Sequence, residues 1–143
     1  MKIAVFVLAL ALWKGEKVAY SENEWRQKLG SERYAVMRQK KTEPAYTGLY
    51  APSEEQHVYL CAGCQLPLFQ STDHYDAGNG WPNFKNPIAK NHVYYLEDRL
   101  LSFKRYEVLC RRCDSHLGHL FHDGPPPKNF RYCINSLSLT KED

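Results

Sequence analysis

The chain has 143 residues, of which 43% are hydrophobic, so it is long enough for one folded domain and too apolar for a disordered chain. Its formal net charge of +3 is too small and too dispersed to indicate nucleic-acid binding. Aromatic residues are also not interleaved with a basic stripe, as a single-strand binder would require.

The first 21 residues differ in character from the rest. A basic start at Lys2 precedes an uncharged, nearly all apolar run from Ile3 to Trp13, and the small-residue pattern Ala19-Tyr20-Ser21 follows. This order is typical of a secretory signal peptide, whereas a stable membrane span needs ~20 apolar residues. We predict a signal peptide over 1–21, hence export to the periplasm or secretory pathway, and one domain over 22–143. The alternative is a buried N-terminal helix or strand of a cytoplasmic protein.

A helix is predicted from Ser21 to about Arg38, because apolar residues recur there at helical spacing among charged ones. Ser21 and Glu24 fit a capping box at its start, and Gly30 is expected to interrupt it. Residues 42–52 contain two prolines and a glycine and are expected to form a loop.

From residue 57 onward, short runs of β-forming residues alternate with turn residues. Strands are predicted at 57–60, 92–96, 101–103, 105–109 and 131–139, with a turn at Asp98-Arg99. The sequence therefore predicts a mainly β domain of antiparallel strands.

Four of the five cysteines form two C-x-x-C pairs, Cys61/Cys64 and Cys110/Cys113, each after a predicted strand. Paired knuckles of this kind supply the four thiolates that structural zinc prefers, so we predict one structural zinc per chain. The pairs could instead be redox dithiols, or disulfides in an exported protein. His116 or His119 could also replace one cysteine as a ligand.

Cys133 is the remaining cysteine. On a strand, Arg131, Cys133 and Asn135 share one face, and a neighbouring guanidinium lowers the pKa of a thiol. A thiolate between Arg and Asn suits attack on a polar, oxygen-bearing substrate. A buried structural cysteine is the competing interpretation.

Several segments resemble the signature of methionine-R-sulfoxide reductases, in that family's order. The segments are Gly80-Trp81-Pro82-Asn83-Phe84, His116-Leu117-Gly118-His119-Leu120-Phe121, Asp123-Gly124-Pro125 and Arg131-Tyr132-Cys133-Ile134-Asn135-Ser136. The likeness spans roughly residues 24–139. It implies two antiparallel sheets with short N-terminal helices and a zinc site of two C-x-x-C knuckles away from the active face.

The resemblance also implies roles for individual residues. Cys133 is the expected nucleophile, and Trp81 is the expected aromatic wall for the substrate methyl group, with Phe84 as a second substrate contact. A protonated His119 or His116 would donate to the sulfoxide oxygen. The remaining orienting residues implied by the resemblance are Asp123, Arg131 and Asn135.

One position departs from the family pattern. Many members carry a resolving cysteine where this chain has Asn79. The sequence therefore predicts a one-cysteine enzyme that reduces methionine R-sulfoxide, free or in oxidised proteins. The sulfenic acid left on Cys133 would be recycled by thioredoxin, glutaredoxin or a small thiol. Two other functions stay open at this point: a non-catalytic, zinc-stapled β binding module, and a C-x-x-C thiol-disulfide oxidoreductase.

Overall fold

The computed structural model describes residues 14–52, 55–98 and 105–142. Within them lie one α-helix and nine strands: α1 (Glu22–Gln39), β1 (Val58–Cys61), β2 (Pro67–Gln70), β3 (His74–Tyr75), β4 (Asn83–Phe84), β5 (Val93–Asp98), β6 (Arg105–Cys110), β7 (His116–Phe121), β8 (Arg131–Ile134) and β9 (Leu139–Glu142). None of the described helical residues form a helix long and apolar enough to span a bilayer. The predicted strand at 101–103 and residues 1–13 of the predicted signal peptide lie outside the described residues.

Helix α1 begins as the sequence predicts. Ser21 Oγ accepts a hydrogen bond from the Glu24 N–H at 3.2 Å, and Glu24 Oε1 accepts one from the Ser21 N–H at 3.0 Å, which completes the capping box. Gly30 interrupts the helix with φ 77° and ψ 170°, a conformation that favours glycine. The helix packs against β7 and the turn after β8, where Arg33 Nε donates to the Leu137 carbonyl at 3.0 Å.

The strands form two antiparallel sheets, which confirms the predicted fold class. One has three strands in the order β2-β1-β9, and the other has six in the order β3-β4-β8-β7-β6-β5. The second sheet places β8 between β4 and β7, so Asn83 and His119 lie on either side of Cys133. This pairing brings two other segments of the chain to one cysteine.

The single strand predicted over 131–139 is wrong in its extent. Strand β8 ends at Ile134, a 3-10 turn follows over Ser136–Ser138, and β9 then joins the other sheet. The turn is fixed by buried polar contacts, since Ser138 Oγ donates to the His116 carbonyl at 3.0 Å. Polar and apolar residues alternate up to Asn135 and again from Ser136 to Leu139, and this near-continuous pattern predicts one strand.

The core between the two sheets includes a cluster of aromatic side chains. Phe69 and Phe84 stack with ring centroids 4.5 Å apart, and both are fully buried. On β8, Tyr132 and Ile134 point into this core. Cys133 therefore points to the opposite face, as strand alternation predicts.

Residues just before α1 also contact the domain. The Val18 N–H donates to the Arg112 carbonyl at 2.8 Å, and Lys17 Nζ lies 2.7 Å from Asp114 Oδ1. Both contacts are made to the second C-x-x-C knuckle.

Candidate active site and metal centre

The four knuckle cysteines converge in the structure. Their Sγ atoms lie within 4.8 Å of one another and all four residues are buried. The Cys61–Cys113 and Cys64–Cys110 sulfur pairs are each 3.6 Å apart, far beyond the ~2.05 Å of a disulfide bond. Sulfurs bound at ~2.3 Å to one tetrahedral ion would be about 3.8 Å apart, so the cluster fits a four-cysteine metal site.

The two knuckles have the same backbone conformation. Gln65 and Asp114 follow the second cysteines with φ of 65° and 63°. Their N–H groups donate to the Cys61 and Cys110 carbonyls, both at 2.8 Å. Because β1 and β6 belong to different sheets, a metal held by these turns would cross-link the two sheets.

Cys133 lines a small cavity on the opposite face of β8 from the core. The cavity has a volume of about 110 Å³, and Trp81, His119 and Asn135 also line it. Four of the residues singled out in the sequence are therefore brought together here. The remaining lining residues are Thr42, Arg105, Gly118, Phe121 and Ile134.

The surroundings of Cys133 favour the thiol over the thiolate. Burial raises the pKa of Cys133 to about 11, although the Arg131 guanidinium acts in the opposite direction. Arg131 lowers the pKa as expected, but the net pKa of Cys133 is raised. The cause is desolvation, which disfavours the thiolate more than one nearby cation favours it.

A β-bulge sets the orientation of the His116 and His119 side chains. Residues three apart on a regular strand point to opposite faces, yet the His116 and His119 rings lie 5.3 Å apart. The register between β6 and β7 shifts at Leu117, which adds one residue and turns both side chains the same way. Next to the bulge, a Cβ on Gly118 would lie within 2.9 Å of Ile134 Cα, so only glycine fits.

Each histidine has a carboxylate partner. His119 Nε2 lies 3.0 Å from Asp98 Oδ2, and His116 Nδ1 lies 2.7 Å from Glu107 Oε2. Burial, together with the nearby Arg105 charge, lowers the pKa of His119 to about 4. His119 is thus neutral near pH 7, which corrects the expectation of a protonated donor.

His116 lies outside the Cys133 cavity. It is 2% exposed and lines an adjoining polar recess of about 400 Å³ together with His119. Its place in the site is therefore behind His119, against which its ring packs edge to face.

Arg131 and Asp123 form a two-pronged ion pair. The Nε–Oδ1 and Nη2–Oδ2 distances are 2.7 and 3.2 Å, and the pair holds the pKa of the Asp123 carboxyl below its usual range. Stacking on Phe121, 4.3 Å from its ring centroid, fixes the guanidinium further. The pair lines a groove of about 530 Å³ that also includes Asn79.

Phe84 does not occupy the place expected of a substrate contact. It is fully buried between Phe69 and His74, with ring centroids 4.5 and 4.6 Å away. Adjacent strand residues point to opposite faces, so Phe84 faces the core while its neighbour Asn83 faces the site.

Asn79 and Asn83 hold the Trp81 loop together. Asn79 Oδ1 accepts hydrogen bonds from the Trp81 N–H at 3.1 Å and from Asn83 Nδ2 at 2.8 Å. Asn83, fully buried opposite Cys133, also donates to the Trp81 carbonyl at 2.7 Å. The sequence analysis did not predict this role of Asn83. The Asn79 between two glycines is, however, a sequence signal for a turn closed by an Asn side chain.

Glu43 is a second residue whose role in the site the sequence does not indicate. It is only 2% exposed, and its carbonyl accepts a hydrogen bond from Trp81 Nε1 at 2.9 Å. Its N–H donates to Asn135 Oδ1 at 3.0 Å. The segment Thr42-Glu43-Pro44 resembles the N-terminal part of the family, but an acid in a proline-containing loop gives no sign that it is buried.

Known proteins are similar in sequence to most of this chain. Residues 29–143 match the family model described as the SelR domain. The protein called peptide methionine sulfoxide reductase MsrB in Chromohalobacter salexigens is 50% identical over 125 residues, covering 87% of this chain and 94% of that protein. Proteins of the same name in Hahella chejuensis and Methanosarcina mazei are 48% and 46% identical, covering 87% and 89% of this chain and 89% and 92% of those proteins. The chain therefore belongs to the MsrB family of peptide methionine sulfoxide reductases.

Solved structures add a more distant likeness. The Mis18 "Yippee-like" domain aligns with 62% of this chain and 97% of its own at 15% identity, with a TM-score of 0.49. Nothing about function follows from a likeness at that level.

Proposed function

We propose that this chain reduces methionine R-sulfoxide, free or within oxidised proteins, to methionine, with Cys133 as the nucleophile. The observation that carries the proposal is the cavity in which Cys133 faces an indole and a neutral imidazole. Its volume of about 110 Å³ accommodates on the order of four water-sized groups, enough for the methylsulfinyl end of the side chain.

The three walls of the cavity differ in chemistry. Trp81 offers a flat apolar surface for the methyl group, and His119 offers a polar edge for the oxygen. Cys133 lies between them on β8. A pyramidal sulfur whose oxygen and methyl are fixed on different sides can present only one handedness to Cys133. The assignment of that handedness to the R epimer rests on the resemblance to methionine-R-sulfoxide reductases.

The protonation states at rest suit the reaction. Thiol plus sulfoxide gives sulfenic acid plus thioether, so the Cys133 proton ends on the transferred oxygen. His119 is neutral and is the cross-strand partner of Cys133, which lets it accept the thiol proton and deliver it to the sulfoxide oxygen. A proton carried this way makes a permanently ionised thiolate unnecessary.

The other predicted residues support these groups. Asp123 holds the Arg131 guanidinium on the same strand face as Cys133, where it stabilises the thiolate as it forms. Asn135 lines the cavity, and its amide donates to the Leu117 carbonyl at the bulge. His116, paired with Glu107, fixes the His119 ring from behind.

We assign the four-cysteine site to one structural zinc ion. Four thiolates complete a tetrahedral shell and leave no position for substrate, so the ion's contribution is to stabilise the fold. The same cluster argues against a thiol-disulfide oxidoreductase, because both C-x-x-C pairs belong to it.

Recycling requires a thiol from outside the chain. Of the five cysteines, four form the metal site, and position 79 holds Asn. One external thiol would displace water from the Cys133 sulfenic acid to give a mixed disulfide, and a second would release the Cys133 thiol and a disulfide. A small thiol, glutaredoxin or thioredoxin fits this chemistry. Export through a signal peptide over 1–21, with repair of oxidised proteins outside the cytoplasm, is proposed from the sequence alone.

The substitution Cys133→Ser tests the nucleophile. Serine keeps the shape of the side chain but cannot take the oxygen, so turnover with methionine R-sulfoxide should fall to background. Circular dichroism and metal content should match the wild type, because Cys133 lies outside the metal cluster. Retained turnover in Cys133→Ser would contradict the proposal.

A further inference from the structure

Glu43 is a buried acid with a strongly constrained side chain. Oε1 accepts a hydrogen bond from the Leu137 N–H at 2.9 Å. Oε2 is enclosed by Gly48, where an added Cβ would lie 2.7 Å from this oxygen and 2.8 Å from Ser136 Cβ. Burial raises the pKa of the Glu43 carboxyl, so the fold retains this group at a cost in free energy. A costly buried group that also touches a reaction site is a candidate for a positioning role.

The main chain of Glu43 reaches both sides of the Cys133 cavity. Its carbonyl holds the Trp81 indole N–H, and its N–H holds the Asn135 side-chain oxygen. Asn135 in turn donates through both its backbone N–H and its side-chain amide to the Leu117 carbonyl, at 2.9 and 3.1 Å. Leu117 is the bulge residue that orients the histidines. One chain of hydrogen bonds therefore joins Glu43 both to Trp81, the proposed methyl contact, and to the bulge that orients His119, the proposed oxygen contact.

We propose that Glu43 is a positioning residue that sets the selectivity of the site between sulfoxide epimers. Its carboxyl fixes residue 43 against the turn after β8, and the fixed backbone then holds Trp81 and Asn135 at a set separation across Cys133. The inference rests on the proposed function, since it assumes that Trp81 faces the substrate methyl group. A loosened indole would let the methyl and oxygen exchange places.

The first test compares Glu43→Met with Glu43→Gln. Methionine is similar in length but cannot accept from Leu137, whereas glutamine can. We expect kcat/KM for methionine R-sulfoxide to fall about 10- to 100-fold in Glu43→Met, with a smaller preference for R over S, and to stay near wild type in Glu43→Gln. Hydrogen exchange at the Trp81 indole N–H, assigned by its absence in Trp81→Phe, should accelerate only in Glu43→Met. Wild-type kcat/KM, epimer preference and indole exchange in Glu43→Met would overturn the proposal.

A matched control separates positioning from loss of stability. Tyr59 is 1% exposed in β1, with its hydroxyl 2.7 Å from His57 Nε2 and 3.1 Å from His74 Nδ1, and it does not line the cavity. Tyr59→Phe should be destabilised while keeping its epimer preference. An equal loss of preference in Tyr59→Phe would show that the effect is one of stability, and would also overturn the proposal.

A double-mutant cycle with a smaller side chain covers the case in which Glu43→Met fails to fold. Glu43→Ser removes the carboxyl that anchors residue 43, and Trp81→Phe removes the indole N–H whose hydrogen bond the residue 43 carbonyl accepts. If Glu43 acts through the indole, the loss caused by Glu43→Ser should be smaller in the Trp81→Phe background than in the wild type. Additive losses would contradict the proposal. An active Cys133→Ser variant would instead refute the proposed function itself, so the two failures are distinguishable.

Discussion

The two cysteine environments of this protein are opposites. The knuckle sulfurs lie within 4.8 Å of one another, held by two identical turns that each span a few residues. Cys133 lies outside that cluster, and its cavity is built from residues that lie far apart in the sequence: 42, 81, 105, 118, 119, 121 and 133–135. Each knuckle is a local turn that the chain uses twice, and the fold then brings the two knuckles together, whereas no part of the Cys133 cavity exists before the sheet has formed. Their proposed functions divide in the same way: under the proposal the knuckles stabilise the fold and Cys133 meets the substrate.

The largest expected effect is on the metal site. Cys110→Ser removes one of four thiolates from the link between the sheets, so we expect the metal to be lost and the free energy of unfolding to fall by at least about 4 kcal/mol. Metal analysis and thermal melting measure both. Cys133→Ser is the matched control and should retain metal and melting temperature. A metal-free Cys110→Ser variant that melts like the wild type would mean that the cluster does not stabilise the fold.

A smaller effect is expected in the pH dependence of Cys133 alkylation. A thiol of pKa about 11 is almost wholly protonated at pH 7, so its thiolate fraction rises tenfold per pH unit up to that value. The rate of Cys133 alkylation by iodoacetamide should therefore rise about tenfold per unit from pH 7 to pH 10. Cys133→Ser corrects for labelling elsewhere. A rate that levels off near pH 8.5 would show an unperturbed thiol and would contradict the raised pKa of Cys133.

The same division explains what the sequence could predict. The knuckles, the capping box of α1 and the inward alternation of Tyr132 and Ile134 depend on short-range spacing, and the structure confirms each of them. The predicted end of the last strand is wrong because alternation resumes after Asn135-Ser136, within the turn at Ser136–Ser138. Local pattern therefore identifies the parts whose geometry is local.

The parts that sequence reasoning missed all depend on tertiary contacts. The bulge at Leu117 places His116 and His119 together, against the ordinary period of a strand. Burial reverses the expected pKa direction of Cys133, and no neighbour in sequence reports burial. Glu43 joins the site from about 90 residues before Cys133 through its backbone, which carries no side-chain signature.

The central claim, that Cys133 alone takes the oxygen while the knuckles stay on the metal, is tested most directly by one turnover without reductant. The protein is mixed with one equivalent of methionine R-sulfoxide and analysed by native and denaturing mass spectrometry. We expect methionine, one oxygen on Cys133 that a sulfenic-acid reagent traps, and the metal still bound. An internal disulfide between Cys133 and a knuckle cysteine, with the metal released, would contradict the account.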